Sequence, residues 1–76
     1  MVVAYIMVKA NTGDADRLKR DVSAIEGVTR AHVVAGDFDI VARVEADATA
    51  EIKDIVATNL QSIAGVEDTQ TYIAMD

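Results

Sequence analysis

Two aspartates that flank a phenylalanine are the first residues in this chain that could do chemistry. Asp37, Phe38 and Asp39 directly follow Gly36. A pair of carboxylates can serve in general acid–base catalysis or bind a metal ion. Aspartate is also a favoured turn residue, and residues two apart on a strand share a face through geometry alone. The pair by itself therefore predicts a turn, and a ligand-contacting role needs support from other features.

The other polar residues give weaker indications. His32 is the only histidine, and no serine or cysteine with a matching acid is spaced around it as a nucleophile would require. Thr69 and Thr71 place two hydroxyls on one face of a predicted strand, where threonine is also simply a good strand former. With no cysteine and one histidine, an ordinary structural zinc site cannot form. We expect no metal, no cofactor and no enzymatic activity.

Composition narrows the possible partners and surroundings. The net charge is −6, from 13 acidic and 7 basic residues, so the chain repels phosphate and is not expected to bind nucleic acid directly. Half the residues are apolar, but no run approaches the roughly 20 residues of a membrane span. The start lacks a secretory signal pattern, which favours a cytoplasmic protein. The abundance of aspartate fits a salt-adapted source and an ordinary acidic protein equally well.

The elements that must position these residues form two similar halves. Residues 3–11 alternate like a strand, and Asp14 then opens a helix whose apolar stripe is Ala15, Leu18, Val22 and Ile25. Gly27 suits the end of this helix, and residues 28–35 form a second strand. Gly36 and Asp37 supply a tight hairpin turn into a third strand at residues 38–46.

The second half repeats the first at an offset of 38 residues, which superimposes the sequences Ile-x-Gly-Val that contain Gly27 and Gly65. A second helix is predicted over residues 48–64, with Asp47 or Thr49 as its cap, and a last strand over residues 67–75. The order βαββαβ predicts one α+β domain over residues 1–76, with a ferredoxin-like fold. Both helices should cover one face of a four-stranded antiparallel sheet.

The opposite sheet face should be left bare, and it would carry Tyr5 and Met7 among other apolar residues. A chain of 76 residues without a disulfide has a small core and gains stability from self-association. The sequence therefore predicts a homodimer that covers this face.

The hairpin and the last strand resemble those of the ligand-binding domain of Lrp/AsnC transcription regulators. Gly36-Asp37-Phe38-Asp39 fits the family's Gly-x-aromatic-Asp hairpin, and Thr69-Gln70-Thr71 fits its Thr-x-Thr element. The resemblance implies a domain that binds an amino acid or a related effector between assembled subunits. Gly36, with its neighbours Asp37 and Phe38, would meet the charged ends of the ligand, Asp39 would hold its amino group, and Thr69 and Thr71 would complete the pocket. It also implies a dimeric, α/β-barrel-like assembly, with an octamer or another ring of dimers as a larger form.

The chain departs from the family at its start. Met1 precedes the first strand almost directly, where family regulators carry a helix-turn-helix domain, so we expect a stand-alone domain. Transcriptional control would then require mixed assembly with a full-length, DNA-binding relative. Two alternatives remain open at this point: a small dimeric α/β-barrel enzyme of the oxygenase or isomerase type, and an ACT-like regulatory domain.

Overall fold

Four strands and two helical stretches alternate along the chain. The computed structural model describes residues 1–76. The elements are β1 (Val2–Ala10), α1 (Ala15–Ser23), β2 (Val28–Val33), β3 (Ile40–Ala46), α2 (Thr49–Asp54), which continues into a π-helical segment (Ile55–Leu60), and β4 (Val66–Ile73). The strands form one antiparallel sheet in the order β2-β3-β1-β4. The predicted ferredoxin-like βαββαβ fold is confirmed. Neither helical stretch is long and apolar enough to cross a membrane.

The core lies between one sheet face and both helices. In the middle of the two central strands every second residue is completely buried, as the alternating patterns of β1 and β3 predict. The helices add the apolar stripe that faces this sheet, and no polar side chain is buried with it. The buried residues are Ala4, Ile6, Val8, Leu18, Val22, Ala31, Ile40, Ala42, Val44, Ile52, Val56 and Leu60.

The repeated Ile-x-Gly-Val segments form the same turn twice. Gly27 and Gly65 both have φ of +99°, a conformation that disfavours any residue with a Cβ. In each copy the valine N–H donates to the isoleucine carbonyl, at 3.1 Å after α1 and 3.2 Å after the π-helical segment. Each glycine carbonyl then accepts a hydrogen bond from the other half, Gly27 from Glu45 N and Gly65 from Asn11 N, both at 2.9 Å. These turns therefore join the halves as well as ending the helices.

Three details differ from the sequence prediction. The second helical stretch ends at Leu60, and its last part is π-helical, with Gln61 N donating to Val56 O at 2.9 Å. Its N-cap is Ala48, whose side chain cannot accept a hydrogen bond, so the predicted cap at Asp47 or Thr49 is wrong. The tight Gly-Asp turn is also wrong, because residues 34–39 form a six-residue connection that includes Phe38.

The second sheet face is uncovered in the single chain. Its centre is apolar, with Val3, Met7 and Val41 half-buried by their neighbours and Tyr5 42% exposed. Polar residues flank this centre on both edge strands, with Arg30 and His32 on β2 and, on β4, Asp68, Gln70 and Tyr72. The central strand β3 adds the ion pair of Arg43 and Glu45 to the same face. An apolar centre with a polar rim is the usual anatomy of a protein–protein interface.

Candidate functional site

The connection between β2 and β3 is held to the end of β1 by Asp39. Its backbone N–H donates to Val8 O at 2.9 Å, and its carbonyl accepts from Val34 N at 2.8 Å. Its carboxylate oxygen Oδ2 accepts from Ala10 N at 2.8 Å, at the point where the β1–β4 register shifts. The other oxygen, Oδ1, has no partner within the chain. Asp39 therefore fastens the connection and still has one oxygen for a ligand.

The rest of the connection is open to solvent. Asp37 is exposed, and its carbonyl accepts a hydrogen bond from Lys9 Nζ at 3.0 Å. A Cβ on Gly36 would meet nothing within 4 Å, so a small molecule can approach this backbone closely. Phe38 is half-buried but stays outside the core. This end of the sheet thus presents the carboxylates and exposed backbone of the connection together with the Lys9 ammonium of β1.

Lys9 is the residue of this region that the sequence did not single out. It is the only charged residue of β1 and stands at the outward position just before the register shift. In the sequence, Lys9 could have been identified as the one charged residue in an otherwise apolar predicted strand. Its link to Asp37 spans 28 positions in the sequence, so only the fold brings the two together.

Thr69 and Thr71 lie on the other side of β1 from Asp39. They pair with Val8 and Ile6 of β1, so both hydroxyls are on the helix side of the sheet, as their spacing predicts. Thr69 Oγ1 accepts from Gln61 Nε2 at 2.9 Å. β1 separates the two threonines from the Gly36–Asp39 connection, which pairs with the other edge of that strand. Within one chain the structure therefore does not bring the two halves of the predicted site together.

Thr71 borders a shallow apolar groove between α2 and β4, with a volume of about 250 Å³. Ile52, Val56 and Ile73 form its apolar surface, and Lys53 stands at its rim. Because α2 leaves this part of the edge strand uncovered, the groove offers an apolar surface beside a hydroxyl and a cation. Such a surface suits an amphipathic small molecule or an apolar side chain.

His32 lies on the uncovered sheet face, beside Tyr5, Val41 and two arginines. No acidic side chain is hydrogen-bonded to it, and it is exposed rather than enclosed. Elsewhere in the chain, no three His, Asp or Glu side chains are placed to hold a metal ion.

Arg43 is the charged residue of this face that has partners within the chain. Its guanidinium forms an ion pair with Glu45 and donates to Thr29 Oγ1 at 3.1 Å. The hydrogen bond to Glu45 and, to a smaller extent, the neighbouring Tyr5 raise the pKa of Arg43 above its ordinary value. Arg43 is therefore a fixed cation beside an aromatic ring.

Comparison with known proteins identifies a family and several relatives of this chain. The family model described as the Lrp/AsnC ligand binding domain matches residues 3–76. The chain is similar to the leucine-responsive regulatory protein of Haemophilus influenzae, with 28% identity over 100% of this chain and 46% of that protein. It thus spans about half the length of the curated relatives that it matches.

Solved structures show the same fold. A protein from Thermus thermophilus superimposes with a TM-score of 0.94 at 26% identity, over 100% of this chain and 95% of that one. A transcriptional regulator of Neisseria meningitidis, solved as an L-Met complex, superimposes with a TM-score of 0.86. Its identity is 21%, over 99% of this chain and 50% of the regulator, so that similarity concerns the fold alone.

Proposed function

The chain belongs to the Lrp/AsnC ligand-binding domain family, and we propose that it is a non-enzymatic sensing and assembly domain that binds a free amino acid. Its relatives are transcriptional regulators, which favours a regulatory role over the enzyme and ACT-like alternatives. The L-Met complex of the Neisseria meningitidis regulator supports an amino acid as the ligand class.

The observation that carries the proposal is the pairing of opposite charges at the Gly36–Asp39 connection. A free amino acid is a zwitterion, so its site must offer an acceptor for an ammonium and donors for a carboxylate. Asp37 and the free Oδ1 of Asp39 provide acceptors, while Lys9 Nζ and the exposed backbone near Gly36 provide donors. In this proposal Asp39 holds the ligand ammonium, and Lys9 with the Gly36 backbone holds its carboxylate.

A neighbouring subunit would complete the pocket. β1 separates Thr69 and Thr71 from the connection of their own chain, but β4 is an edge strand and its groove is open. When the connection of one dimer meets β4 of another, the ligand's apolar side chain can lie in the groove beside Thr71. Phe38, half-buried and outside the core, is positioned to cover the ligand from the connection side.

Assembly would occur at two levels. The uncovered sheet face would join two chains into a dimer with an α/β-barrel-like arrangement, and the ligand sites would link dimers into an octamer or another ring. Because the net charge of −6 repels DNA, control of transcription would act through mixed assembly with a full-length, DNA-binding relative. Ligand occupancy would then change how the subunits associate.

Calorimetric titration of the folded protein with each of the common amino acids tests the ligand class. We expect saturable heat with at least one of them, methionine and leucine being the first to try. If the assembled protein gives no binding heat with any amino acid at millimolar concentration, effector sensing is excluded and an assembly role alone remains.

The same titration, repeated with variants, tests whether Asp39 and Lys9 bind the charged groups of the ligand. Asp39→Ala should weaken binding by about 1–3 kcal/mol, because it leaves the ligand ammonium without its partner. Lys9→Met should weaken it through loss of the carboxylate partner. The matched control is Asp54→Asn, which removes an exposed carboxylate at the opposite end of the sheet, near Gly27. Equal affinity in Asp39→Ala and the control would rule out the role of Asp39.

A further inference from the structure

A depression on the uncovered sheet face collects hydrogen-bond donors and has no acidic residue in its lining. Its volume is about 530 Å³, and it is lined by Tyr5, Arg30, His32, Val41 and Arg43. The whole chain has 7 basic residues, 1 histidine and a net charge of −6. Two of those basic residues and the sole histidine thus meet at one place on an acidic protein.

The two arginines of this depression stand directly opposite each other, Arg30 on β2 and Arg43 on β3. Cross-strand neighbours have Cβ atoms about 5 Å apart, and like charges placed there destabilise a sheet. Glu45 neutralises Arg43, but Arg30 takes part in neither of the two salt bridges of the chain. Arg30 is therefore an exposed cation without a counter-ion of its own.

Arg43 also keeps donors for a ligand. Its hydrogen bonds to Glu45 and to Thr29 Oγ1 both use Nη1, so Nη2 and Nε remain available to an acceptor. Tyr5 and His32 line the same depression and add a phenol hydroxyl and an imidazole. Groups that can donate to an anion therefore surround one open space.

The basic cluster on α1 has different neighbours. Lys19 and Arg20 line another surface depression, but Asp16 lines it with them. A carboxylate beside these cations already offsets part of their charge, whereas no acid lines the depression of the sheet face. The α1 cluster therefore serves as an internal control for the arginine pair.

A phosphate group suits this set of donors better than a carboxylate does. Phosphate carries a charge of about −1.5 to −2 at pH 7 and three acceptor oxygens, whereas a carboxylate has one charge and two oxygens. Guanidinium groups bind phosphate through paired N–H···O hydrogen bonds. Pockets for small organic ligands have volumes of about 300–1,000 Å³, so the depression also has room for an organic group beside the Tyr5 ring and Val41.

We propose that Arg30 and Arg43 form a binding site for a phosphate group, either free or carried by a small molecule. The two guanidinium groups hold the phosphate oxygens, and the imidazole of His32 donates a further hydrogen bond. Because β2 is an edge strand, Arg30 and His32 stay accessible from the side of the sheet when another molecule covers its centre.

The phosphate site is separate from the amino-acid site of the proposed function. Lys9, which belongs to the amino-acid site, is four residues along β1 from Tyr5. At about 3.3 Å per residue, the two positions are about 13 Å apart. Phosphate binding and amino-acid binding can therefore be tested independently.

An NMR titration of the full chain tests the site, with arginine Nε–H groups and backbone amides as the readout. Inorganic phosphate and phenyl phosphate are added separately in a phosphate-free buffer, against sodium chloride at matched ionic strength. We expect saturable shifts at Arg30, Arg43 and the amides of residues 30–32. Shifts no larger than those with chloride, or shifts confined to Lys19 and Arg20 of α1, would overturn the proposal.

The two probes distinguish the sources of the phosphate group. Tighter binding of phenyl phosphate than of inorganic phosphate would support a phosphorylated small molecule whose organic part contacts Tyr5. Equal or weaker binding of phenyl phosphate would support free phosphate as the ligand. Both results support the phosphate site itself.

Substitution of Arg30 tests the assignment of the site. Arg30→Gln should raise the Kd for inorganic phosphate by about 5- to 30-fold at low ionic strength, because it removes one of the two guanidinium groups. The variant also removes a like-charge cross-strand pair, so it should fold at least as well as the original chain. Arg20→Gln removes an exposed arginine of α1 and is the matched control. Equal Kd values for the two variants would contradict the site.

Substitution of Glu45 tests the part played by Arg43. Glu45→Gln removes the charge that neutralises Arg43, so it should lower the Kd for inorganic phosphate several-fold. Glu67→Gln makes the same change in net charge at an exposed position of β4 and is the control. If Glu45→Gln binds phosphate no more tightly than Glu67→Gln, Arg43 does not hold the phosphate.

Discussion

The two halves of this domain share a frame but differ in how their helices are built. Each half ends its helical stretch with the same glycine turn, and the hydrogen bonds of Val28 and Val66 differ by only 0.1 Å. α1 is a regular helix whose N-cap, Asp14, accepts from Arg17 N at 3.0 Å. The second stretch begins at an Ala48 cap without a side-chain hydrogen bond and ends in a π-helical segment.

The similarities between the two halves identify residues that maintain the fold, and the differences identify residues that can form a binding site. The repeated glycine turns join the halves through hydrogen bonds, so their residues maintain the fold. The segments that follow them differ: β2 leads into the Gly36–Asp39 connection, and β4 carries Thr69 and Thr71 beside the open groove of α2. The proposed site uses the parts in which the halves diverge.

The largest predicted effect concerns the buried leucines of the two helical stretches. Leu18 in α1 and Leu60 at the end of the π-helical segment are both completely buried. Leu18→Ala and Leu60→Ala should each lower the free energy of unfolding by about 2–5 kcal/mol, measured by urea denaturation at one protein concentration. Thr58→Ala, an exposed change in the same segment, should cost under about 0.5 kcal/mol. A small cost for Leu60→Ala alone would show that the second stretch packs less firmly than the first.

The glycine turns should tolerate substitution poorly in both halves. Alanine at φ of +99° is strained, and its Cβ would lie 2.7 Å from Ile55 Cδ1 at position 27 and 3.0 Å from the Arg17 and Thr12 side chains at position 65. Gly27→Ala and Gly65→Ala should each cost about 1–3 kcal/mol, with Gly27→Ala the more severe. Gly13→Ala, where a Cβ meets nothing within 4 Å, is the matched control. A neutral result at either turn would contradict its structural role.

Substitutions at the two helix N-caps should change the free energy of unfolding least. Asp14→Ala removes the only side-chain cap and should cost about 0.5–2 kcal/mol in thermal or urea unfolding. Ala48 has the extended backbone of an N-cap, with φ −143° and ψ 155°, so Ala48→Ser should stabilise the second half by a smaller amount. Ala50→Ser, within the exposed first turn of α2, is the control and should give no gain. A loss on Ala48→Ser would mean that its hydroxyl does not reach the free N–H groups.

The order of strands and helices could be predicted because the sequence patterns that indicate each element are local. Strand alternation, the apolar stripes and the glycines after them identified all six elements, and the 38-residue repeat gave their order. The tight turn was wrong because Asp39 is held by Ala10, 29 positions away, rather than by its neighbours. The π-helical segment was missed because Ile55, Val56 and Leu60 have spacings that an α-helix also accepts.

The site residues were identified by resemblance, but their arrangement depends on strand order. Thr69 and Thr71 could be placed on one face from their spacing, whereas their separation from Asp39 by β1 follows only from the order of the sheet. The alignment of four residues across the uncovered sheet face also depends on strand order. Arg30, Arg43, Tyr5 and Tyr72 are scattered through the sequence, and pairing alone aligns them.

The most direct test of amino-acid sensing is a backbone amide NMR titration of the assembled protein with the amino acid that calorimetry selects. Binding should shift the amide resonances of residues 34–39 and of Lys9 most strongly, with a second group of shifts at residues 69–73 of β4. The amides of the glycine turns at Gly27 and Gly65 should move little. Saturable shifts confined to other parts of the chain, or no shifts at millimolar ligand, would contradict the proposed function.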